Sequence, residues 1–429
     1  MLNFRGDVLS RSLPLPFTLP SSQPAPRSPR AVWPLRKCAR ALYLIVAILG
    51  VLLLATREAR EPAPSKGVQR QYLQGRKILI AANYFNNMDL LDAHCDEMAL
   101  LLDALVLAGA TPYVSVYENG SKDETPAFLR EWQRRLDERG IANTINIDDA
   151  PSWSTVFEER KKNGTVKGED EMAIRIGAMA DIRNKALAPL DASFDDVLFF
   201  NDVIFLADDI LRLLLTGRME YDVVCSMDFN RITFYDTWVA RDVNAERMAS
   251  LYPFSADIVT QGLIAHGRPF PVSSCWNGVV AMKAAPFLKH KIQFRTWQAQ
   301  EPRLLGRPSA LQGVVYNDSC PASECLLVFE DLSRFGYNRF YMHPTVHVTY
   351  SSVDWVLHRT LGGALNLIAS WTLTLQPHGR VPPGHRIPQC GLAREVTLQS
   401  WVIPATLCLK VIVAWRVLRW VRPGKLAVE

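Results

Sequence analysis

The sequence has no Cys-x-x-Cys pair, no block of like charge and no long hydrophobic run. Eight cysteines are scattered over 429 residues, which argues against a structural zinc site. Disulfides remain open if the main domain faces an oxidising compartment. Forty-eight basic residues stand against 43 acidic ones, and the net charge of +5 is mild for this length. That balance points to no nucleic-acid partner. The uninterrupted apolar run at 41–55 covers 15 residues, fewer than a usual transmembrane helix. What is present is the composition of a folded protein, 48% hydrophobic and 21% charged, long enough for one large or two ordinary domains with extensions.

Residues 1–40 carry many Pro, Ser and Arg residues and read as a disordered cytosolic tail. Arg36-Lys37-Cys38-Ala39-Arg40 then meets the apolar run. The preceding tail is too long for an ordinary signal peptide, and no small-x-small cleavage site follows. Residues 41–56 are therefore expected to be the signal anchor of a single-pass type II protein. Arg40 and Arg57 lengthen the span by snorkelling. A short span suits early secretory membranes, so a Golgi or other secretory-pathway membrane is the expected location. Residues 57–76 are expected to form a polar stem.

Strands and helices then alternate. Lys77 to Asn83 reads as a buried strand, Asp89 to Leu107 as an amphipathic helix closed by Gly109, and Tyr113 to Asn119 as a second strand. Thr125 to Arg139 is a charged helix, and Asn143 to Ile147 a third strand. This alternation predicts βαβ units and a parallel sheet. Residues 148–171, rich in charge and glycine, are expected to be a loop.

The centre of the region is Asp196-Val197-Leu198-Phe199-Phe200-Asn201-Asp202-Val203. Four apolar residues running into Asn-Asp read as a buried parallel strand. In open α/β sheets ligands bind beyond the carboxyl ends of the strands, where Asn201 and Asp202 would stand. An Asp there can bind a divalent cation, and the cation a diphosphate. Upstream, Arg175, Met179, Arg183 and Leu187 share one helix face, and a guanidinium on it can reach a diphosphate. Tyr221 to Phe229 reads as the next strand, carrying Asp228. Tyr235-Asp236-Thr237-Trp238 and Cys275-Trp276-Asn277-Gly278 place aromatics beside polar groups, as sugar sites do. Ser323 to Leu332 adds the acids Glu324 and Asp331, and His347 could lend an imidazole to a metal.

In order and spacing, these motifs resemble the fungal α-1,3-mannosyltransferase and capsule-associated glycosyltransferase family. The residues are Ala82-Asn83, Glu118 to Asp123, Arg183-Asn184, Phe200 to Val203, Met227 to Phe229, Tyr235 to Trp238, Cys275 to Gly278 and Ser323 to Cys325. The resemblance spans about residues 77–350. It implies a GT-A-like fold, a single Rossmann-type nucleotide-sugar-binding domain on a membrane anchor. It also implies a GDP-mannose donor, a glycan acceptor, Mn2+ or Mg2+, and retention of anomeric configuration. The roles expected from the residues and the resemblance together are these. Asn83, Arg183, Asn201, Asp202 and Asp228 hold the donor. Trp238, Trp276 and Asn277 hold sugar or acceptor, and Glu324, Asp331 and Asp236 are the catalytic acids. Asp202 binds the metal. The family usually presents Asp-x-Asp, whereas this chain has Asn201-Asp202-Val203. Any second metal ligand must come from elsewhere, Asp228 or His347.

Residues 351–429 fall outside the resemblance. Trp401 to Val421 reads either as a basic amphipathic helix fit for a membrane surface or as a packed terminal helix. Asn119, Asn163 and Asn317 head glycosylation sequons, meaningful in a lumen. Two other readings stay open: transfer from another nucleotide sugar, and a non-catalytic protein that binds glycan or assists polysaccharide export.

Overall fold

In the computed structural model the described residues are 63–149, 152–164, 168–296, 303–304, 315–316 and 322–359. The expected tail, the anchor, the start of the stem, the Asn317 sequon and the stretch 401–421 lie outside them. Among the described residues no helix is long and apolar enough to cross a membrane.

In chain order the elements begin with α1 (Lys66–Leu73), β1 (Lys77–Tyr84), α2 (Met88–Leu107), β2 (Thr111–Asn119), α3 (Thr125–Glu138) and β3 (Ala142–Asp148). They continue with α4 (Trp153–Lys162), α5 (Gly168–Ala186), β4 (Asp196–Phe200), α6 (Ala207–Leu214), β5 (Val223–Asn230) and β6 (Thr233–Phe234). Then come α7 (Ile258–Ala265), β7 (Phe270–Pro271), β8 (Val279–Lys283) and α8 (Ala284–His290). The last are β9 (Arg303–Leu304), β10 (Val315–Tyr316), α9 (Glu324–Arg334), β11 (Phe340–Thr349) and α10 (Ser352–Leu357).

One nine-stranded mixed sheet organises these elements, in the order β3-β2-β1-β4-β8-β5-β11-β7, with β6 paired to β5. β3, β2, β1 and β4 are mutually parallel. β8 runs antiparallel to both β4 and β5, while β11 is parallel to β5. The expected parallel sheet is thus parallel over β3, β2, β1 and β4 and mixed beyond. Between β5 and β8 the chain passes through β6, α7 and β7 and re-enters the sheet between β4 and β5, antiparallel to both.

Both faces of the sheet are covered, which is why β4 is apolar from Val197 to Phe200, while Asp196 at its start is paired with Arg76 and Lys283. One layer packs residues of α5, α8 and α9 against Leu79, Val197 and Phe199. The other packs α2, α3 and α6 against Ile78, Leu198 and Phe200. Phe199 and Phe200 are essentially inaccessible and face opposite layers. Truncating either to Ala is expected to cost about 3–5 kcal/mol.

Two local expectations change. The stretch read as a loop contains α4, begun by Ser152, whose side chain accepts from Thr155 N. The described part of the stem contains α1, with Leu73 fully buried in the core.

Candidate active site

The carboxyl ends of β1, β4, β5 and β11 lie along one edge of the sheet. Because β8 is antiparallel, its amino-terminal turn reaches the same edge, and Asn201 N donates to Gly278 O at 2.8 Å. Asn277 and Gly278 both have positive φ. A side chain at Gly278 would meet Val348 Cγ2 at 2.6 Å, so the turn needs glycine there. A disulfide, Cys225–Cys275, ties β5 to this turn.

A cavity of about 420 Å3 opens at that edge. Its lining includes Arg175, Arg183, Asn201, Asp236, Trp238, Trp276 and Glu324. Arg183 comes from α5, one helical turn beyond Met179, which also lines the cavity. Its Nε donates to Glu324 Oε1 at 3.0 Å and its Nη1 to Asn201 Oδ1 at 3.2 Å. Trp276 Nε1 donates to the same Asn201 oxygen at 3.1 Å. The guanidinium lies 4.8 Å from the Trp276 ring, a cation–π contact. Glu324 opens α9 behind the N-cap Ser323, whose hydroxyl donates to Glu324 Oε2 at 3.0 Å.

Asp228 lies beneath this wall and is fully buried. Its oxygens accept from Asn277 Nδ2 at 2.8 Å, Tyr350 Oη at 2.7 Å and the Asp236 backbone N at 3.2 Å. Burial pushes the Asp228 carboxyl above its ordinary range. Asp236 is pushed up to about 7, first by burial and then by the neighbouring Asp228 charge. A carboxyl poised near neutrality in a cavity is suited to general acid or base work.

Asp202 is half-buried, and its Oδ2 accepts from Asn87 Nδ2 at 2.8 Å. Burial raises its pKa, with the Asn87 hydrogen bond and the Arg183 charge opposing. Asn83 donates to Ile182 O at 3.0 Å, while its buried Oδ1 has no partner among the described residues. Neither Asp202 nor Asn83 is in the cavity lining.

Asp228 and Asn277, which hydrogen-bond to each other, are also outside the lining, and two more expected site residues, Asp331 and His347, are engaged elsewhere in the fold. Asp331 is seven residues along α9 from Glu324, two turns away, and pairs with Arg295 at 2.8 and 3.0 Å and with Arg334 at 3.1 Å. His347 uses both ring nitrogens inside the fold, Nε2 with Pro344 O at 2.6 Å and Nδ1 with His358 Nε2 at 3.0 Å. Among the described residues no group of three or more His, Cys, Asp or Glu side chains is placed to hold a metal ion. His347 is thus engaged within the fold, and Asp202 presents a single carboxylate held by Asn87.

Three contributors escape the sequence reading. Tyr350, directly after β11, lines the cavity and holds Asp228. Asn87 orients Asp202 from the turn after β1. The cysteine pairing joins residues 50 apart and carries no local signal.

A mixed α/β sheet thus brings a guanidinium, carboxylates and indoles around one cavity at its strand ends, a candidate ligand site. Residues 77–331, well over half of the chain, match the family described as cryptococcal mannosyltransferase 1. The chain belongs to this family, and so stands among the glycosyltransferases. An α-1,3-mannosyltransferase of Cryptococcus neoformans is 27% identical over 346 residues, 70% of this chain and 66% of that protein. The chain thus matches just under two thirds of that relative's length.

Among solved structures, a mannosyltransferase of Pyrobaculum calidifontis in complex with GDP-Man and Mn2+ is similar at 13% identity. It covers 70% of this chain and 68% of that one, with a TM-score of 0.35. The glucosyl-3-phosphoglycerate synthase of Mycobacterium tuberculosis with Mn2+ and UDP-glucose is similar at 16% identity. It covers 72% and 84%, with a TM-score of 0.31. At such scores neither likeness bears on function.

Proposed function

We propose that the protein transfers mannose from GDP-mannose to a glycan acceptor, with an α-1,3 linkage and retention of configuration, on a GT-A-type domain. The observation that carries this reading is Arg183, held by Glu324 and Asn201 at the carboxyl end of β4 and lining the cavity. Family membership supports the sugar and the linkage.

In this reading the diphosphate takes the Arg183 end, where charge-assisted hydrogen bonds are strong. Trp276 packs its ring against the guanidinium at 4.8 Å. Asp236, titrating near neutrality, exchanges a proton with the acceptor hydroxyl, and Glu324 gives up its Arg183 contact as the phosphates arrive. Asp228 is a positioning residue, because its hydrogen bonds hold Asp236, Asn277 and Tyr350. Use of Mn2+ or Mg2+ rests on Asp202 alone among the residues proposed for it, and no step is routed through a cation.

The protein is further proposed to be anchored by residues 41–56 in a secretory-pathway membrane with its catalytic region in the lumen. The Cys225–Cys275 disulfide supports an oxidising compartment. Asn163 is exposed and can accept a glycan there.

The test is release of nucleoside diphosphate by the full-length protein in detergent from a panel of nucleotide sugars, with and without chelator. GDP-mannose is expected to be turned over fastest. Turnover of UDP-sugars alone would refute the donor assignment, and turnover of none would favour the non-catalytic reading.

A further inference from the structure

The cavity lining is of two chemical kinds. Arg183, Asn201 and Glu324 are charged or polar, and Tyr235, Trp238 and Tyr350 present aromatic rings. Tyr235 is the unusual member, 54% exposed in a stretch otherwise buried or half-buried. Its neighbour Phe234 is buried in the core, and strand alternation turns Tyr235 outward.

This exposed ring is not loosely held. Tyr235 N donates to Asp228 O at 3.0 Å, and Asp236 N to Asp228 Oδ1 at 3.2 Å. Tyr350 Oη donates to Asp228 Oδ2 at 2.7 Å. One buried residue therefore fixes both tyrosines. Their ring centroids are 5.0 Å apart at an interplanar angle of 59°. A tilted contact of this kind backs one side of Tyr235 and leaves the rest of the ring to solvent, in keeping with its exposure.

We propose that Tyr235, backed by Tyr350 on the Asp228 anchor, is the platform on which a pyranose ring of the glycan acceptor stacks. This rests on the transferase reading for the word acceptor. The apolar CH face of a pyranose matches a fixed aromatic face, and its hydroxyls meet Asp236 and Thr237, which also line the cavity. Within one cavity the guanidinium is left to the diphosphate and the exposed Tyr235 ring to the acceptor sugar.

The test is direct binding of an α-linked mannotriose, followed by calorimetry on the full-length protein with GDP present. Tyr235→Ala is expected to weaken the oligosaccharide about five- to tenfold. Tyr235→Phe, which keeps the ring, is expected to stay within about twofold, as is the GDP affinity of both variants. The proposal is overturned by any of three results: equal affinity of wild type and Tyr235→Ala, an equal loss in Phe and Ala variants, or no binding of mannotriose by wild type at millimolar concentration. Tyr235-dependent mannotriose binding by a protein that turns over no nucleotide sugar supports the platform and refutes only the transferase reading.

Discussion

Arg183 Nε and Glu324 Oε1 stand 3.0 Å apart in a pair whose side chains are only 9% and 6% exposed, yet both residues line the cavity. A buried ion pair at a ligand site serves fold and function together. Removing one partner leaves the other charge buried and unpaired, which costs about 3–5 kcal/mol. Arg183→Ala is therefore expected to lower the melting temperature as well as nucleotide affinity. The double variant Arg183→Ala with Glu324→Gln should recover much of the stability and none of the affinity. Thermal unfolding and GDP calorimetry on the single and double variants check this. Recovery of both together would make Arg183 a purely structural residue.

Asp236 should make stability depend on pH. Its carboxyl is raised to about 7 by burial and by Asp228, above the ordinary carboxylate value it has when unfolded. The folded state thus binds more protons between roughly pH 4 and 7, and this contribution to stability is lost as pH rises through about 7. Asp228, also raised by burial, acts in the same sense. Asp236→Asn mimics the protonated form and is expected to flatten the melting temperature between pH 5.5 and 8. An unchanged slope would show that Asp236 is not the group titrating there.

The Cys225–Cys275 bond closes a separation of 50 residues, and a loop of that size is worth about 4 kcal/mol in the chain-entropy account. Cys275→Ser, or reduction of the wild type, should lower the melting temperature. It should also raise the Kd for GDP, because Cys275 is next to Trp276. Free-thiol titration alongside the melt checks it. Two extra reactive thiols in the untreated, denatured wild type would contradict the pairing.

Chelation should not shift the melting temperature of the nucleotide-free protein. His347 is committed within the fold, and Asp202 offers a single carboxylate already accepting from Asn87. Any stabilisation by Mn2+ is expected only with a nucleoside diphosphate present, since ligand linkage requires a binding site in the folded state. A shift of several degrees by chelator alone would reveal a resident cation.

Much of this fold was legible in the sequence because its signals are local. The run through Phe199-Phe200 marks a strand with two covered faces, and Asp89 to Leu107 carries a helical period that α2 matches to within one residue. The direction of β8 was not legible, since a short apolar strand reads the same either way. α4 was hidden by its charges, which suggested a loop despite the Ser152 cap. In the site, Arg183, Asn201, Asp236, Trp238, Trp276 and Glu324 share one cavity because each stands at an element end on the same sheet edge. Asp331 and His347 showed the same residue types, but Arg295 and Arg334 engage the first and Pro344 and His358 the second. Of these only the Arg295 pairing, 36 residues away, leaves no trace in spacing.

The most direct measurement of the central claim is transfer of labelled mannose from GDP-mannose to a mannotriose acceptor by the full-length protein, with wild type, Asp236→Asn and Glu324→Gln run side by side. The account predicts that wild type forms a labelled product whose new sugar is released by an α-mannosidase. It also predicts that Asp236→Asn loses at least about a hundredfold in rate, as removal of a general acid or base does. Wild-type product that resists α-mannosidase, or an Asp236→Asn variant that keeps more than half the wild-type rate, would contradict it.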